Sequence, residues 1–330
     1  MIFKTKIPVY LLTGFLGSGK TTFLNQLLKL DGFQNSLVIV NEFGAVPIDH
    51  LLVEESTETI FELSNGCLCC TIRGELVETL SGLELDRFDR IFIETTGIAD
   101  PLPVFQTLTT DPGISEKLTP MGILSVHDLV RGRDLLNSHD EARRQIAVAD
   151  TVVLTKSDYD HDREAALSAI RAINPSAGIQ DAHNIRSPDD LPTAHTDRPI
   201  QFPTTSSSHS SRFRSAVLRV PRALPLSDLV GILHMIGNRY GADLLRIKGI
   251  ASIAESKEPV VIQMSGQILH EPVPAPASVQ IPGGTTLVLI TQDSDPKFAV
   301  EMFMAFTGQP GIDHADRDAM MNNPLAIPGV

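Results

Sequence analysis

Residues 7–22 read IPVYLLTGFLGSGKTT, and the prediction of the fold class begins from this segment. The apolar run predicts a strand over Ile7–Thr13, and the residues after it predict a helix over Lys20–Leu30 that ends at Asp31-Gly32. Between them, residues 14–21 match the P-loop pattern G-x4-G-K-[ST] at every specified position. Strand, glycine-rich loop and helix thus follow one another in the order that a phosphate-binding loop requires.

Short β-branched runs alternate with helical patterns through the first half of the chain. This alternation predicts a three-layer α/β domain of the P-loop NTPase type, with a mainly parallel sheet. The further predicted strands are Leu37–Asn41, Arg90–Glu94, Met121–Val126 and Thr151–Thr155. The further predicted helices are Glu75–Leu83 and Glu141–Ala149.

The pattern breaks near residue 185, where Pro, Ser, Thr and His become frequent. We predict a P-loop domain over 1–185, a linker over 186–211, a small α+β domain over 212–308 and a tail over 309–330. The second domain is predicted to contain strands at 215–220, 260–264 and 285–291 and helices at 227–240 and 296–306.

Composition narrows the function classes. The 330 residues include 27 Lys and Arg against 40 Asp and Glu, a net charge of −13, which disfavours a nucleic-acid partner. No apolar run reaches the roughly 18 residues of a membrane-spanning helix. The 3 cysteines lie within one tetrapeptide, which is unlike a secreted disulfide framework, and the N-terminus reads as retained. We therefore expect a soluble protein in a reducing, cytoplasmic compartment.

The P-loop residues each suit one part of a nucleoside triphosphate. Its glycines let successive N–H groups turn toward a phosphate, Lys20 supplies a positive charge that also serves catalysis, and the Thr21 hydroxyl can ligate Mg²⁺. The predicted phosphate-binding residues are Gly14, Gly17, Ser18, Gly19, Lys20 and Thr21.

A second motif, Ile91-Phe92-Ile93-Glu94-Thr95-Thr96-Gly97, contains an acidic residue at the end of a predicted buried strand. Glu94 has the position of a Walker-B carboxylate, which holds Mg²⁺ through water or orients the attacking water. The Gly97 N–H can contact the γ-phosphate. The alternative is that Glu94 only caps the next turn.

Base recognition is predicted at Thr155-Lys156-Ser157-Asp158, directly after an apolar strand. The Asp158 carboxylate can accept hydrogen bonds from N1–H and the 2-amino group of guanine, which adenine lacks. GTP is therefore favoured over ATP. Thr155 replaces the Asn of the usual Asn-Lys-x-Asp pattern and removes an amide that steadies the loop.

A thiolate motif, Cys67-Leu68-Cys69-Cys70, predicts a site for a soft metal such as Zn²⁺, Cu⁺ or Co²⁺. The preceding loop, with the place of a switch I, offers Glu42 as a fourth ligand or as a contact to Mg²⁺, with Asp49 and His50 as alternatives. The other interpretation is that the cysteines are buried structural residues. His127 is expected to be packed rather than ligating.

The motifs GFLGSGKTT, VNEFG, GCLCC, ETTGIADP and TKSD occur in this order, and DLLRIKGI follows near the C-terminus. Together they resemble the CobW-like family of P-loop GTPases and zinc or cobalt metallochaperones, over nearly the whole chain. Three features differ from many relatives: Ala45 replaces an acidic residue, Pro47 and His50 replace glycines, and SSSHSS stands where a His-rich run occurs.

The resemblance implies a GTPase that couples GTP binding and hydrolysis to delivery of Zn²⁺ or Co²⁺ to a client metalloprotein, which the second domain would contact. The residues implied to bind phosphates and Mg²⁺ are Gly17, Gly19, Lys20, Thr21 and Thr22. Those implied to bind the cargo metal are Cys67, Cys69 and Cys70, and those implied to bind the base are Lys156 and Asp158.

We expect GTP and Mg²⁺ to draw the 42–50 loop and the thiolate segment into a metal-holding state that hydrolysis releases. Two other functions stay open at this point. One is a metal sensor with negligible turnover, and the other is a P-loop ATPase or small-molecule kinase. Client, cargo ion and oligomeric state stay open too, with a homodimer as one option.

Overall fold

The computed structural model describes residues 6–40, 59–62, 71–159, 162–191, 212–276 and 284–308. These residues form a seven-stranded sheet within residues 7–181 and a six-stranded sheet within residues 213–292. The predicted fold class, a P-loop NTPase domain followed by a small α+β domain, is confirmed. None of the helices in the described ranges is both long and apolar enough to cross a membrane.

The first sheet is parallel throughout and has the strand order β3-β2-β4-β1-β5-β6-β7. Its strands are β1 Ile7–Thr13, β2 Ser36–Val40, β3 Thr59–Glu62, β4 Arg90–Glu94, β5 Leu118–Asp128, β6 Thr151–Thr155 and β7 Gly178–Asp181. The central strands are apolar at nearly every position because both faces of a parallel sheet are covered by helices.

The helices of the first domain are α1 Lys20–Leu28, α2 Thr71–Gly82, α3 Leu102–Thr110, α4 Pro112–Ser115, α5 Gly132–Ser138, α6 Asp140–Val148 and α7 Arg163–Ile173. Successive residues of β1 face opposite sides of the sheet. Val9 and Leu11 belong to one core cluster, and Tyr10 and Leu12 belong to another that includes residues of α1.

Several elements lie close to their predicted bounds, and others were missed. β1, β4 and β6 have the predicted bounds, whereas β5 extends beyond Met121–Val126 at both ends. α3 and α7 were not predicted. The sequence before α7 does contain a start signal, because the Asp162 side chain accepts a hydrogen bond from the Ala165 N–H at 2.9 Å.

The second sheet is antiparallel and packs against two helices. Its strands are β8 Phe213–Val220, β9 Leu244–Ala251, β10 Val260–Ser265, β11 Ile268–Leu269, β12 Val273–Pro274 and β13 Thr285–Gln292, and the helices are α8 Leu226–Tyr240 and α9 Lys297–Phe306. β9 was not predicted as a strand, because Arg246 and Lys248 interrupt its apolar pattern.

Those two cations are buried where the two sheets meet. The Arg246 guanidinium bonds the carboxylate of Asp150, which precedes β6, and also the Val148 carbonyl at 3.0 Å. The Lys248 Nζ lies 3.5 Å from Asp150 Oδ1. Apolar residues of β8 and β13 share a core cluster with the first domain. The domains are therefore joined by an apolar contact around an ion cluster of Asp150, Arg246 and Lys248.

The start of the predicted linker packs against the first domain. Leu191 is buried in the core cluster that contains Phe33, and Pro188 lies against Gly32. Asp190 accepts a hydrogen bond from Gln180 through its carbonyl at 3.0 Å. Leu191 is thus buried although it lies in the predicted exposed linker, whereas Arg186 and Asp189 are exposed.

Candidate nucleotide-binding site

Four adjacent strands of the parallel sheet end at the same edge. β4 ends at Glu94, β1 at Thr13, β5 at Asp128 and β6 at Thr155. In open α/β sheets, ligands bind at this carboxyl edge. The structure therefore brings the P-loop, Glu94 and the Thr155–Asp158 loop to one place, as the sequence predicted.

The P-loop has the backbone shape of a phosphate cradle. Gly14, Gly17 and Gly19 have φ values of 146°, 73° and 92°, which favour glycine. A Cβ on Gly14 would also lie 2.3 Å from the Val126 carbonyl oxygen, whereas one on Gly17 would meet nothing within 4 Å. The loop is thus fixed against β5 at one end and open at Gly17.

Lys20 and Thr21 stand at the start of α1 with partners in the same site. The Lys20 side chain is buried, and its Nζ donates a hydrogen bond to the Gly14 carbonyl at 3.0 Å. The Thr21 Oγ1 donates to Glu94 Oε1 at 2.9 Å. A hydroxyl and a carboxylate side by side are hard oxygen ligands, so this pair fits Mg²⁺.

Two buried hydroxyls add to the fit for phosphate. Ser18 Oγ and Thr96 Oγ1 have no hydrogen-bond partner among the described residues. Buried polar atoms are normally satisfied, so each is explained if a ligand oxygen completes it. Ser18 was predicted from the P-loop pattern. Thr96 was missed, although it lies between the predicted Glu94 and Gly97.

Asp128 is a second residue that sequence reasoning missed. Its Oδ2 lies 2.5 Å from Lys156 Nζ, and its Oδ1 accepts from the Val130 N–H at 2.8 Å. Lys156 Nζ also donates to the Gly17 carbonyl at 3.3 Å, and Lys156 has a φ of 57°. A non-glycine residue in this region is strained, and such strain concentrates at functional sites. The sequence signal that could have identified Asp128 was its position at the end of an apolar strand, as for Glu94.

Thr155 connects the predicted base-binding loop to the P-loop. Its Oγ1 donates to the Ser18 carbonyl at 2.7 Å and lies 3.3 Å from the His127 carbonyl. The sequence prediction was that loss of the usual Asn would remove a group that steadies this loop. The structure shows that the threonine hydroxyl itself bonds the P-loop backbone.

Asp158 lies at the surface beside His183. Its side chain is 74% exposed, and its Oδ2 is 3.0 Å from His183 Nε2. The carboxylate is thus accessible to a ligand rather than held in a closed pocket. Selection of guanine through buried groups, as the sequence reasoning assumed, requires the base itself to cover Asp158.

His127 is packed, as expected. Its ring lies against Gly132, where a Cβ would be 2.1 Å from Nε2. Burial lowers the pKa of His127 to about 4, against the opposing influence of the Asp128 charge. The imidazole is therefore neutral near pH 7 and adds no charge to the site.

The predicted cargo ligands Cys67, Cys69, Cys70 and Glu42 lie outside the described residues, as do Asp49 and His50. Thr22 is in α1 and is exposed. Within the ranges that the structure describes, no group of three His, Cys, Asp or Glu side chains is arranged to hold a metal ion. The thiolate site therefore stays a prediction from the sequence.

Comparison with protein families gives two matches along the chain. Residues 8–180 match the model described as CobW/HypB/UreG, nucleotide-binding domain, and residues 213–307 match the cobalamin synthesis protein cobW C-terminal domain. The chain belongs to the CobW family. Both halves of this CobW-family chain are matched, so the assignment does not depend on the P-loop alone.

Two curated relatives of this CobW-family chain are named zinc chaperones. The zinc chaperone YjiA of Escherichia coli is 37% identical over 179 residues, which cover 52% of this chain and 56% of that protein. The zinc chaperone CobW of Pseudomonas aeruginosa is 30% identical over 332 residues, 88% of each chain. The chain thus matches just over half the length of the first relative and most of the second.

A solved structure supports the fold of the CobW-family chain. The crystal structure of the Zn(II)-bound YjiA GTPase from E. coli superimposes with a TM-score of 0.70, covering 92% of this chain and 99% of that one at 22% identity. The arrangement of a parallel P-loop domain followed by an antiparallel domain is therefore shared. The chain is a member of a family that includes GTPases and zinc chaperones.

Proposed function

We propose that this CobW-family chain is a zinc chaperone that hydrolyses GTP to GDP and phosphate and delivers its metal to a client protein. One observation carries the proposal: four side chains that GTP and Mg²⁺ would contact lie together at one sheet edge. They are those of Lys20, Thr21, Glu94 and Lys156. Family membership adds the zinc-delivery part.

For hydrolysis, each residue has a distinct role. Lys20 exchanges the Gly14 carbonyl for phosphate oxygens, and the Gly97 N–H contacts the γ-phosphate. Thr21 and Glu94 would hold Mg²⁺, which supplies charge neutralisation at the phosphates. Glu94 also orients the attacking water. The glycines of the P-loop direct their N–H groups toward the same phosphates.

The cargo metal is proposed to bind at Cys67, Cys69 and Cys70, with Glu42 as a candidate fourth ligand. Three thiolates favour Zn²⁺ over Mg²⁺, and an exchangeable fourth position suits transient holding. Co²⁺ is the alternative cargo that we propose for this ligand set. Three cysteines in one motif also agree with a reducing, cytoplasmic location.

The central experiment measures Zn²⁺ affinity in two nucleotide states. Under anaerobic conditions, Zn²⁺ is titrated by chelator competition into the protein with Mg²⁺ and a non-hydrolysable GTP analogue, and separately with Mg²⁺ and GDP. We expect the Zn²⁺ affinity to be about 5- to 150-fold higher with the GTP analogue than with GDP, the range that typical coupling energies give. The variant with all three cysteines changed to serine is the control and should lose tight binding in both states. Equal affinities in the wild type would contradict the coupling of GTP to metal.

Turnover and nucleotide choice separate the remaining functions. A steady-state GTPase rate that does not rise with Zn²⁺ would favour the metal sensor. Asp158→Ala should remove the preference for GTP over ATP, because the guanine-specific acceptor is lost. The matched control is His183→Ala, which removes the partner of Asp158 but keeps the carboxylate. Unchanged preference in Asp158→Ala would favour an ATP-using enzyme.

A further inference from the structure

Residues 95–100, here called the switch segment, lie between Glu94 and α3 and touch the phosphate loop. Gly97 packs so closely on the P-loop that a Cβ there would lie 2.8 Å from both the backbone N and the Cα of Leu16. A change in the position of Gly97 must therefore be accompanied by a change in its contact with the P-loop.

Gln145 of α6 forms hydrogen bonds with the backbone of this segment. The side chain is 1% exposed, and its Nε2 donates hydrogen bonds to the carbonyls of Gly97 at 3.2 Å and Ala99 at 3.1 Å. Its Oε1 is buried with no hydrogen-bond partner among the described residues. An unsatisfied acceptor destabilises a fold, so packing alone does not explain an amide here. The two carbonyls of the switch segment do.

The preceding residue of α6 holds the end of the same segment. Arg144 Nη2 is 2.8 Å from Asp100 Oδ2, and Arg144 Nη1 donates to Gln292 Oε1 at 2.5 Å. Gln292 is the last residue of β13, in the second domain. Two consecutive residues of α6 thus bind Gly97, Ala99 and Asp100, and one of them also contacts the second domain.

The P-loop has a matching arrangement. Lys20 Nζ donates to the Gly14 carbonyl, a bond that phosphate oxygens must replace when a nucleotide binds. We propose that Gln145 and Arg144 are positioning residues that stabilise the switch segment in this resting arrangement. In this proposal, a bound γ-phosphate draws the Gly97 N–H toward itself and weakens these contacts. The inference rests on the proposed GTP function and concerns its regulation.

The contacts should then affect GTP and GDP unequally. GDP lacks the γ-phosphate and leaves the switch segment in place, whereas part of the binding energy of GTP is used to move it. Gln145→Met replaces the amide by an apolar, helix-forming side chain of similar length and removes both hydrogen bonds. Arg144→Met removes the contacts to Asp100 and Gln292, and the Arg144 side chain is 25% exposed.

Each variant has a matched control on or beside the same helix. Asn174 is another buried amide, and its Nδ2 lies within 3.1 Å of three carbonyls at the end of α6, away from the switch segment. Asn174→Leu should therefore lower Tm without changing nucleotide preference. Arg143 precedes Arg144 and bonds Asp140 at 2.8 Å and the Asn137 carbonyl at 2.6 Å. Arg143→Met is its control.

The experiment is isothermal titration of the full chain with Mg²⁺ and either a non-hydrolysable GTP analogue or GDP. We expect Gln145→Met and Arg144→Met each to raise the ratio of GTP-analogue to GDP affinity about fivefold, the low end of typical coupling, and both controls to leave it unchanged. An unchanged ratio in both variants, or an equal change in the controls, would overturn the inference. Failure of the wild type to bind GTP would instead overturn the proposed function.

Discussion

Lys20 and Lys248 are both buried lysines, with 8% and 1% of their surface exposed, but their partners differ. Lys20 bonds a backbone carbonyl of an open, glycine-rich loop. Lys248 lies beside a buried carboxylate and a buried guanidinium where the two sheets meet. Burial of a charge therefore does not by itself mark a functional site. The identity of the partner indicates whether the ammonium group can exchange that partner for a ligand.

The largest effect is expected at Asp150, which neutralises the interdomain cations. Burial raises the pKa of Asp150, but Arg246, Lys248 and the Ile123 N–H outweigh it, so the net pKa lies below its usual value. Asp150→Ala would leave two buried cations without their anion. We expect the free energy of unfolding to fall by about 3–5 kcal/mol, measured by urea denaturation. A fall no larger than that of an exposed variant would mean that the cluster is solvated.

The next effect is expected at Lys20. Lys20→Met removes the positive charge from the phosphate site, and charge-assisted hydrogen bonds contribute about 1.5–3 kcal/mol each. GTP affinity should fall about a hundredfold or more, measured by fluorescence titration with a labelled analogue. The matched variant is Lys248→Met, which removes the other buried lysine. If the two changes reduced GTP affinity equally, the distinction between the lysines would fail.

A smaller effect concerns pH. Burial lowers the pKa of Lys248 to about 8, against the opposing attraction of Asp150, from an ordinary value of 10.5. Between these values the unfolded chain binds a proton that the folded chain does not, so stability rises with pH. The free energy of unfolding of the wild type, relative to Lys248→Met, should rise by about 2 kcal/mol from pH 8 to pH 10. A flat difference would show that Lys248 titrates normally.

The smallest effect is expected at the exposed rim of the domain interface. Arg212 is 45% exposed and pairs with Asp140 and with Asp293, the latter at 2.7 Å. Exposed ion pairs contribute little because water and salt screen them. Arg212→Met should leave the midpoint of thermal unfolding unchanged within error. A large decrease would extend the stabilising region from the buried ion cluster to the rim.

Much of the nucleotide site could be predicted from the sequence, because its residues occur in short patterns next to apolar strands. Lys20, Thr21 and Glu94 were found in this way, and the structure brings them together. Asp128 belongs to no such pattern. Its pairing with Lys156 joins residues 28 positions apart, and only the adjacency of β5 and β6 reveals it.

The domain interface was less predictable for a related reason. Arg246 and Lys248 gave β9 a polar appearance, because a sequence does not show that a carboxylate 96 positions earlier will neutralise them. Gln145 was equally hidden within a helix pattern. Its role depends on two carbonyls that lie 48 and 46 positions away. Local sequence patterns identify residues that lie close together along the chain. Arg246, Lys248 and Gln145 instead have partners that only the tertiary fold brings near.

The hydrogen bond from Thr155 to the Ser18 carbonyl has a kinetic consequence. It connects the loop proposed to bind the base with the P-loop, so an incoming nucleotide would meet a preformed surface, and little ordering would slow its association. Release would be slow, because the two ends of the ligand would be held by loops that do not separate independently. Residence time, more than encounter rate, is therefore the quantity that substitutions at this hydroxyl should alter.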